Sequence, residues 1–343
     1  MVWRGLKYLL VGGVLAVSVG VGWLALEFYH APQRLLTLEE TVLYEVPVGA
    51  SLRAVAQGLA TRGIIDRPWY LEALARRNAQ HQQIKAGEYE LSPDLSYQDL
   101  LELMVSGKVL RYRLTIPEGF RFAQMVEAMA QHAQIVKTLA AEDYAQIMTR
   151  LGKPGMHPEG WFYPDTYLFS RNTTDLELLT LAHARMEAVL EAVWAQRAAD
   201  LPLNSAYEAL ILASLVERET GAAPERALIA GVFVARLRQG MRLQTDPSVI
   251  YGLASFDGRL RRSDLRTDTP YNTYTREGLP PTPIALPGRA ALEASVNPAP
   301  TDALFFVARG DGTHQFSATY REHRAAVIEY QLDGDASRYG GGR

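Results

Sequence analysis

The sequence predicts an α+β protein carried on a single N-terminal transmembrane helix. Three observations lead there. Tyr8 to Leu26 is an uncharged apolar run of about 19 residues, enough for a helix to cross a bilayer. Short strand–turn–helix patterns recur between residues 41 and 130. The remainder of the chain is mostly helical, with one hairpin near its end, which gives a mixed α+β domain.

With 343 residues, the chain can form two or three compact units, each burying its own core. The net charge of -3 is close to neutral. No Lys/Arg block interleaved with aromatics is present, so nucleic acid is not an expected partner. The absence of cysteine excludes disulfides, zinc–thiolate sites and a thiol nucleophile. The seven histidines form no HExxH pair, so neither a metal nor another cofactor is expected.

Residues 1–7 read as a short cytoplasmic tail and 8–29 as the membrane helix. Arg4 and Lys7 precede the apolar run and Glu27 comes after it, which places the N-terminus in the cytoplasm and the remainder outside. Trp3, Tyr8, Trp23, Phe28 and Tyr29 would mark the two interfaces. Gly12, Ala16 and Gly20 form a small-residue face, either for a second membrane helix or without a partner.

Residues 41–110 form the next expected module. Val46-Pro47-Val48-Gly49, followed by Leu52, Val55, Leu59 and Ala60, is matched seventy residues later. The second copy is Ile116-Pro117-Glu118-Gly119 with Phe122, Met125, Met129 and Ala130. Each copy reads as strand, Pro-x-Gly turn and helix. Between them, Gly87–Leu91 reads as a strand and Tyr97–Val105 as a helix. Units of this kind resemble LysM-like modules, which bind peptidoglycan glycans; a spacer domain is the other reading.

Residues 111–200 form a linking region, helical apart from the break at Pro154–Phe169. The aromatics of that break, Trp161 and Tyr163 among them, either pack on the next domain or line a sugar cleft. Residues 201–332 are the expected catalytic domain, and the polar, Gly-rich 333–343 has no reason to order. Within the domain, Ala206–Gly221 reads as a buried helix. Pro224–Arg238 reads as another, Leu304–Ala308 and His314–Ser317 as the hairpin, and Thr319–Leu332 as the last helix. Asp246-Pro247 reads as N-cap and first residue of a further helix, and His314 reads as packing within its strand.

Carboxylates are the strongest catalytic candidates, because no nucleophile elbow, phosphate loop or dinucleotide fingerprint is present. Glu217 shares one stripe with Ala206, Leu210 and Ala213, where desolvation raises a carboxyl pKa and suits a general acid. The alternative is a Glu at a helix end paired with Arg218 or Arg226. Gln244, Thr245 and Asp246 are expected at the rim of the Glu217 site, with capping as the other role for Asp246. Glu219 lies two positions on and points to a different side. A two-carboxylate glycosidase would therefore need Asp246 as the partner of Glu217.

The runs Ser214-Leu-Val-Glu-Arg-Glu-Thr220 and Arg236-Leu-Arg-Gln-Gly-Met-Arg-Leu-Gln-Thr-Asp-Pro-Ser-Val-Ile-Tyr-Gly252 resemble the endolytic murein transglycosylases, the MltG or YceG-like family. Glu159-Gly-Trp-Phe-Tyr-Pro-Asp165, Tyr271-Asn-Thr-Tyr274 and Gly278-Leu-Pro-Pro281 match as well. The resemblance puts the catalytic acid on Glu217, and Tyr251, Asn272 and Tyr274 on the matched stretches join the candidate sugar contacts. It implies cleavage of MurNAc-β-1,4-GlcNAc bonds in nascent glycan strands, with the C6 hydroxyl of the sugar as nucleophile and 1,6-anhydro ends as product. It further implies a single-pass protein of the bacterial inner membrane, a periplasmic catalytic domain, and peptidoglycan synthases as partners. The rival from another class is a non-enzymatic, peptidoglycan-binding scaffold.

Overall fold

The computed structural model describes residues 2–139 and 144–339, with side chains from Gly12 onward except Leu24. The side chains of Trp3, Arg4, Lys7 and Tyr8, on which the predicted orientation and one aromatic belt depend, lie outside the described residues, as does the end of the tail, 340–343. The chain divides into two compact units, Met1–Tyr112 with Leu168–Asn172, and Arg113–Tyr167 with Thr173–Arg343.

The first unit begins with helix α1 (Val2–His30). Its Val14, Leu15, Val17, Val19 and Val21 are all about 60% exposed or more, and Gly12 and Gly20 have open space beside them. Those exposed apolar side chains suit this stretch to lipid, whereas the end of the helix meets its own chain through Glu27 with Arg34 and Arg67. Strand β1 (Val42–Val46), helices α2 (Leu52–Thr61) and α3 (Pro68–Arg77), strand β2 (Gly87–Leu91) and helix α4 (Tyr97–Ser106) come next. β1 and β2 pair antiparallel, with Tyr44 opposite Tyr89. Val46, Val55, Leu59, Tyr70, Leu71, Leu91 and Leu100 form the core beneath them. Ser51 and Ser96 cap α2 and α4, each hydroxyl accepting a backbone N–H three residues on. Arg171, on the returning segment, pairs with the buried Glu88 at 2.6 Å.

The two copies of the sequence repeat fall in different units. The second copy becomes β3 (Tyr112–Thr115) and α5 (Phe122–Gln131). The second unit continues with α6 (Tyr144–Arg150) and the long α7 (Asp175–Ala195); β4 (Thr166–Phe169), which pairs with β3, begins in this unit and ends in the Leu168–Asn172 segment of the first. Its centre is α8 (Ala206–Glu219), begun by the Ser205 cap and buried continuously from Ala209 to Val216. Around α8 stand α7, α9 (Arg226–Arg238) and α12 (Arg289–Val296). Between α9 and α12 come α10 (Asp246–Gly252) and α11 (Arg262–Arg266). The hairpin β5 (Phe305–Ala308) and β6 (His314–Ser317) and the helix α13 (Tyr320–Gln331) complete the unit. The stretch from Asp333 is not without order as far as it is described. A 310 turn spans Ala336–Arg338, and the Tyr339 hydroxyl meets that of Tyr320 at 2.8 Å.

The aromatic break packs. Phe162 is fully buried and stacks on Phe122 with ring centroids 4.7 Å apart. Trp161 lies parallel to Tyr207 at 5.7 Å and against His183 at 5.9 Å. The irregular segment after α11 is tied by Asn272, whose side-chain amide donates to the carbonyls of Asp264, Leu265 and Thr267. That side chain is fully buried, so backbone groups of the loop, rather than solvent, are its partners.

Candidate active site

The last turn of α8 carries two acids, and the structure gives each its own surroundings. Glu217 has a side chain only 6% exposed. Its Oε2 accepts the backbone N–H of Gly288 at 2.9 Å, and Arg226 stands 3.8 Å from Oε1. The Pro117–Phe120 turn is held there by Gly119 N–H to the Leu286 carbonyl and Leu286 N–H to the Phe120 carbonyl. It brings Glu118 to Gly288: a Cβ on that glycine would sit 1.8 Å from Glu118 Oε1. Burial raises the Glu217 pKa, the Gly288 N–H opposes it, Glu118 adds to it, and Arg226 and Arg218 pull it down. Arg226 is thus near enough to Glu217 to act on its charge, while the Gly288 N–H is its hydrogen-bond donor.

Glu219 faces a cavity of about 420 Å³. Gln244, Asp246, Tyr274, Arg236 and His314 line the same cavity. The Thr245 hydroxyl donates to Glu219 Oε2 at 2.7 Å, and no other hydrogen-bond donor among the described residues reaches that carboxyl group. Burial, reinforced by the Asp246 charge, pushes the Glu219 pKa from 4.5 to about 7, against smaller opposing effects from Thr245, His314 and Arg236. The neutral and charged forms are therefore both accessible near neutral pH.

The walls of this cavity are rigid. Arg236 is buried and donates through Nε to the Leu304 carbonyl at 2.6 Å and through Nη1 to that of Leu243 at 2.7 Å. Tyr274 donates its hydroxyl to Asp246 Oδ1 at 2.6 Å. Ser248 and Thr273 join their hydroxyls at 2.8 Å beneath Thr245. Gln244 is held at φ +49, a left-handed conformation costly for a side chain of this kind, by its N–H to the Thr273 carbonyl. His314 bonds the carboxylate of Glu225 at 2.8 Å, so it is a cavity wall as well as a strand residue.

Two expectations are corrected here. Gln244, Thr245 and Asp246, with Tyr274, gather round Glu219 and not at the rim of a Glu217 site, because successive odd positions of a helix face nearly opposite ways. Asp246 is not the N-cap of α10. Thr245 occupies that position, Asp246 is the first helical residue, and its carboxylate takes the Tyr274 hydroxyl instead of a backbone N–H.

The remaining candidates lie elsewhere. Tyr251 lines a separate cavity of about 650 Å³ together with Glu159, and its hydroxyl donates to Glu159 Oε2 at 3.1 Å. Trp161 and Asn272 serve packing and loop closure, as their contacts in the fold show. Tyr163 is half-buried under Arg185, 5.1 Å from its ring, with its N–H on the Ala182 carbonyl. The sequence offers Glu219 only as a partner for Glu217, set aside because it faces another side, and singles out none of Arg236, Glu118 and Glu159. A signal for Glu219 was present: Leu212, Leu215 and Val216 precede it at helical spacing, a stripe as apolar as the one leading to Glu217.

A carboxyl group that burial holds near neutrality, with one hydroxyl donor in a polar cavity rimmed by aromatics, has the properties that general acid–base chemistry on glycans requires. Among the described residues no cluster of His, Cys, Asp and Glu is arranged to hold a metal ion. The chain belongs to the YceG-like family, which it matches over residues 44–329. It is 29% identical over 309 residues to a Bacillus subtilis (strain 168) protein named endolytic murein transglycosylase, covering 84% of this chain and 85% of that one. A Streptococcus pneumoniae (serotype 2, strain D39 / NCTC 7466) protein of the same name is 27% identical over 320 residues. That match covers 83% of this chain and 57% of the pneumococcal protein. The crystal structure of a yceG-like protein from Listeria monocytogenes shares the fold at a TM-score of 0.53 and 28% identity, over 83% of this chain and 99% of that one.

Proposed function

We propose that this chain is a lytic transglycosylase that cuts MurNAc-β-1,4-GlcNAc bonds within peptidoglycan strands, with Glu219 as its acid–base group. The observation that carries the reading is the Thr245-bound Glu219 carboxyl in a cavity shared with Gln244, Asp246 and Tyr274. The names of the relatives supply the substrate. Glu217, on which the family resemblance placed this role, is instead engaged by Gly288 and Arg226.

Protonated Glu219 donates to the leaving GlcNAc oxygen as the bond to the muramic acid C1 breaks. As a carboxylate it then takes the proton from the C6 hydroxyl, whose oxygen closes on C1. The proton count balances, water does not enter the product, and Glu219 ends as it began. Gln244 and the Tyr274–Asp246 pair offer hydrogen bonds to the sugar. α1 supports membrane anchoring. In the further reading the N-terminus is cytoplasmic and the catalytic unit periplasmic, supported by Arg4 and Lys7 ahead of the apolar run. The β1-to-α4 module, 41–110, is then a LysM-like glycan-binding unit, a reading supported by its repeated strand–turn–helix pattern. Peptidoglycan synthases, which make the nascent strands, are the expected partners.

The test is mass spectrometry of fragments from uncrosslinked peptidoglycan incubated with the full chain. Anhydro ends, lighter than reducing ends by one water and missing with Glu219→Gln, are the expected result. Asp246 in the same cavity favours one second reading, a two-carboxylate hydrolase, which reducing ends would establish. A protein that yields no new ends at all would be a scaffold.

A further inference from the structure

The second unit contains another acid-bearing cavity, larger than the first, which the proposed reaction does not use. Its volume is about 650 Å³, and Arg121, Tyr144, His157, Glu159, Tyr251 and Tyr271 line it. Glu159 is buried and already engaged: Oε1 accepts the Phe122 N–H at 2.9 Å and Oε2 the Tyr251 hydroxyl. His157 is pushed toward its neutral form by burial. Arg121 is different. Its guanidinium lies 5.0 Å from the centre of the Tyr251 ring, and no carboxylate among the described residues stands within 4 Å of it. An arginine with no described carboxylate within 4 Å, which feels the Glu159 charge only at longer range, beside three tyrosines in a concave site, fits a carboxylate carried on a partly apolar chain.

The two cavities share walls. Asp246 and Tyr251 lie five residues apart on α10, about 7.5 Å along its axis, with one in each cavity. Tyr274 and Tyr271, on one loop, are divided in the same way. The two cavities thus border the same short helix and the same loop. On a peptidoglycan strand, the lactyl carboxyl of each muramic sugar is amide-linked to a short peptide that ends in free carboxylates well away from the ring, whereas a strand stripped of peptide carries only the lactyl carboxylate, held close to the ring.

We propose that the Arg121 cavity binds a carboxylate of the stem peptide on the strand being cut, so that the enzyme selects glycan that still bears peptide. This rests on the peptidoglycan reading above. Arg121 supplies the fork that pairs with the carboxylate, the tyrosines cover the peptide's apolar atoms, and the Glu159–Tyr251 bond holds the wall in place.

The test compares kcat/KM of the full chain on uncrosslinked strands bearing stem peptides and on the same strands stripped by an amidase. The expected preference for peptide-bearing strands is about tenfold, carried mainly by KM and lost in Arg121→Gln. Equal rates on the two substrates, or an equal loss on both in the variant, would overturn the proposal and make the cavity a sugar subsite or a structural one. Cleavage of neither by the wild type would bring down the transglycosylase reading and this one with it. Should Arg121→Gln fail to fold, free stem peptide serves as competitor for the wild type. Inhibition by the peptide but not by its fully amidated form supports the proposal, and inhibition by neither overturns it.

Discussion

Glu217 and Glu219 stand two residues apart on α8, and the helix turns them about 200° from one another. Both end apolar stripes, and burial raises the pKa of both. Their surroundings differ in kind. Glu217 meets a backbone N–H, an arginine and a closed turn, the partners of a carboxylate that ties segments together. Glu219 has one hydroxyl donor and a cavity into which several polar side chains converge. Desolvation thus makes an acid available at both places; Glu219 lines its cavity of about 420 Å³ directly, whereas beside Glu217 it is Arg226 that lines a cavity, of about 570 Å³. Burial alone does not separate a general acid from a structural one; the groups that already bind the carboxyl differ between the two.

The largest effect expected from this comparison is on turnover. Glu219→Gln should lower the rate of glycan cleavage by on the order of 10³-fold, the scale of a lost general acid. Glu217→Gln retains an acceptor for the Gly288 N–H and should stay within about tenfold of wild type, with its cost seen in stability instead. Turnover rates of the two purified variants decide between the sites. The reverse order would restore the acid to Glu217.

The next effect is on pH. Glu219 must start protonated, so kcat/KM should fall as pH rises through about 7. Thr245→Val removes the hydroxyl that favours the charged form, so the pKa rises and the falling limb moves to higher pH while the rate drops. Stability depends on the same group. Its folded value of about 7 exceeds 4.5, so the folded chain binds the proton more tightly than the unfolded chain does. Its stabilising effect is complete below 4.5 and is lost as pH rises through 7, a change of on the order of 1–3 kcal/mol. Glu219→Gln should flatten part of that slope in denaturant titrations run from pH 4.5 to 8. Glu159, also raised to about 7 by burial, supplies a parallel slope that remains in the variant.

The sequence shows why the fold is easier to read than the site. Elements with local causes are readable: the bounds of β2, the start of α8 at Ala206 and the β5–β6 hairpin each come from residue periodicity or turn residues. Helical spacing also showed that Glu217 and Glu219 face apart. What each of the two faces meets depends on segments far along the chain. The Leu286–Gly288 stretch closes over Glu217, and residues 244–246 and 305–314 wall Glu219. No local pattern encodes those meetings. Asn272 illustrates the same limit, because an amide in a Tyr-rich loop looks the same whether it meets sugar or its own carbonyls. The Arg121 cavity went unread because its members come from α5, the aromatic break and α10.

The smallest effect expected concerns backbone strain, and it sharpens the same contrast. Beside Glu217, the left-handed position of the turn is held by Gly119 at φ +77, where no Cβ resists it. Beside Glu219, the corresponding conformation is imposed on Gln244 at φ +49, whose side chain lines the cavity. Left-handed geometry costs a residue with a Cβ about 1 kcal/mol, and a glycine in its place loses part of that gain through a freer unfolded chain. Gln244→Gly should therefore be near neutral or stabilising by about 0.5 kcal/mol in thermal unfolding, while its glycan cleavage falls. Gly119→Gln should do the opposite, losing stability because φ is positive there, with the chemistry of Glu219 retained in the folded fraction. If Gln244→Gly loses stability as Gly119→Gln does, the strain at Gln244 is no special property of the Glu219 side. If it gains stability and loses turnover, the chain keeps a strained glutamine there for what its side chain does to the substrate.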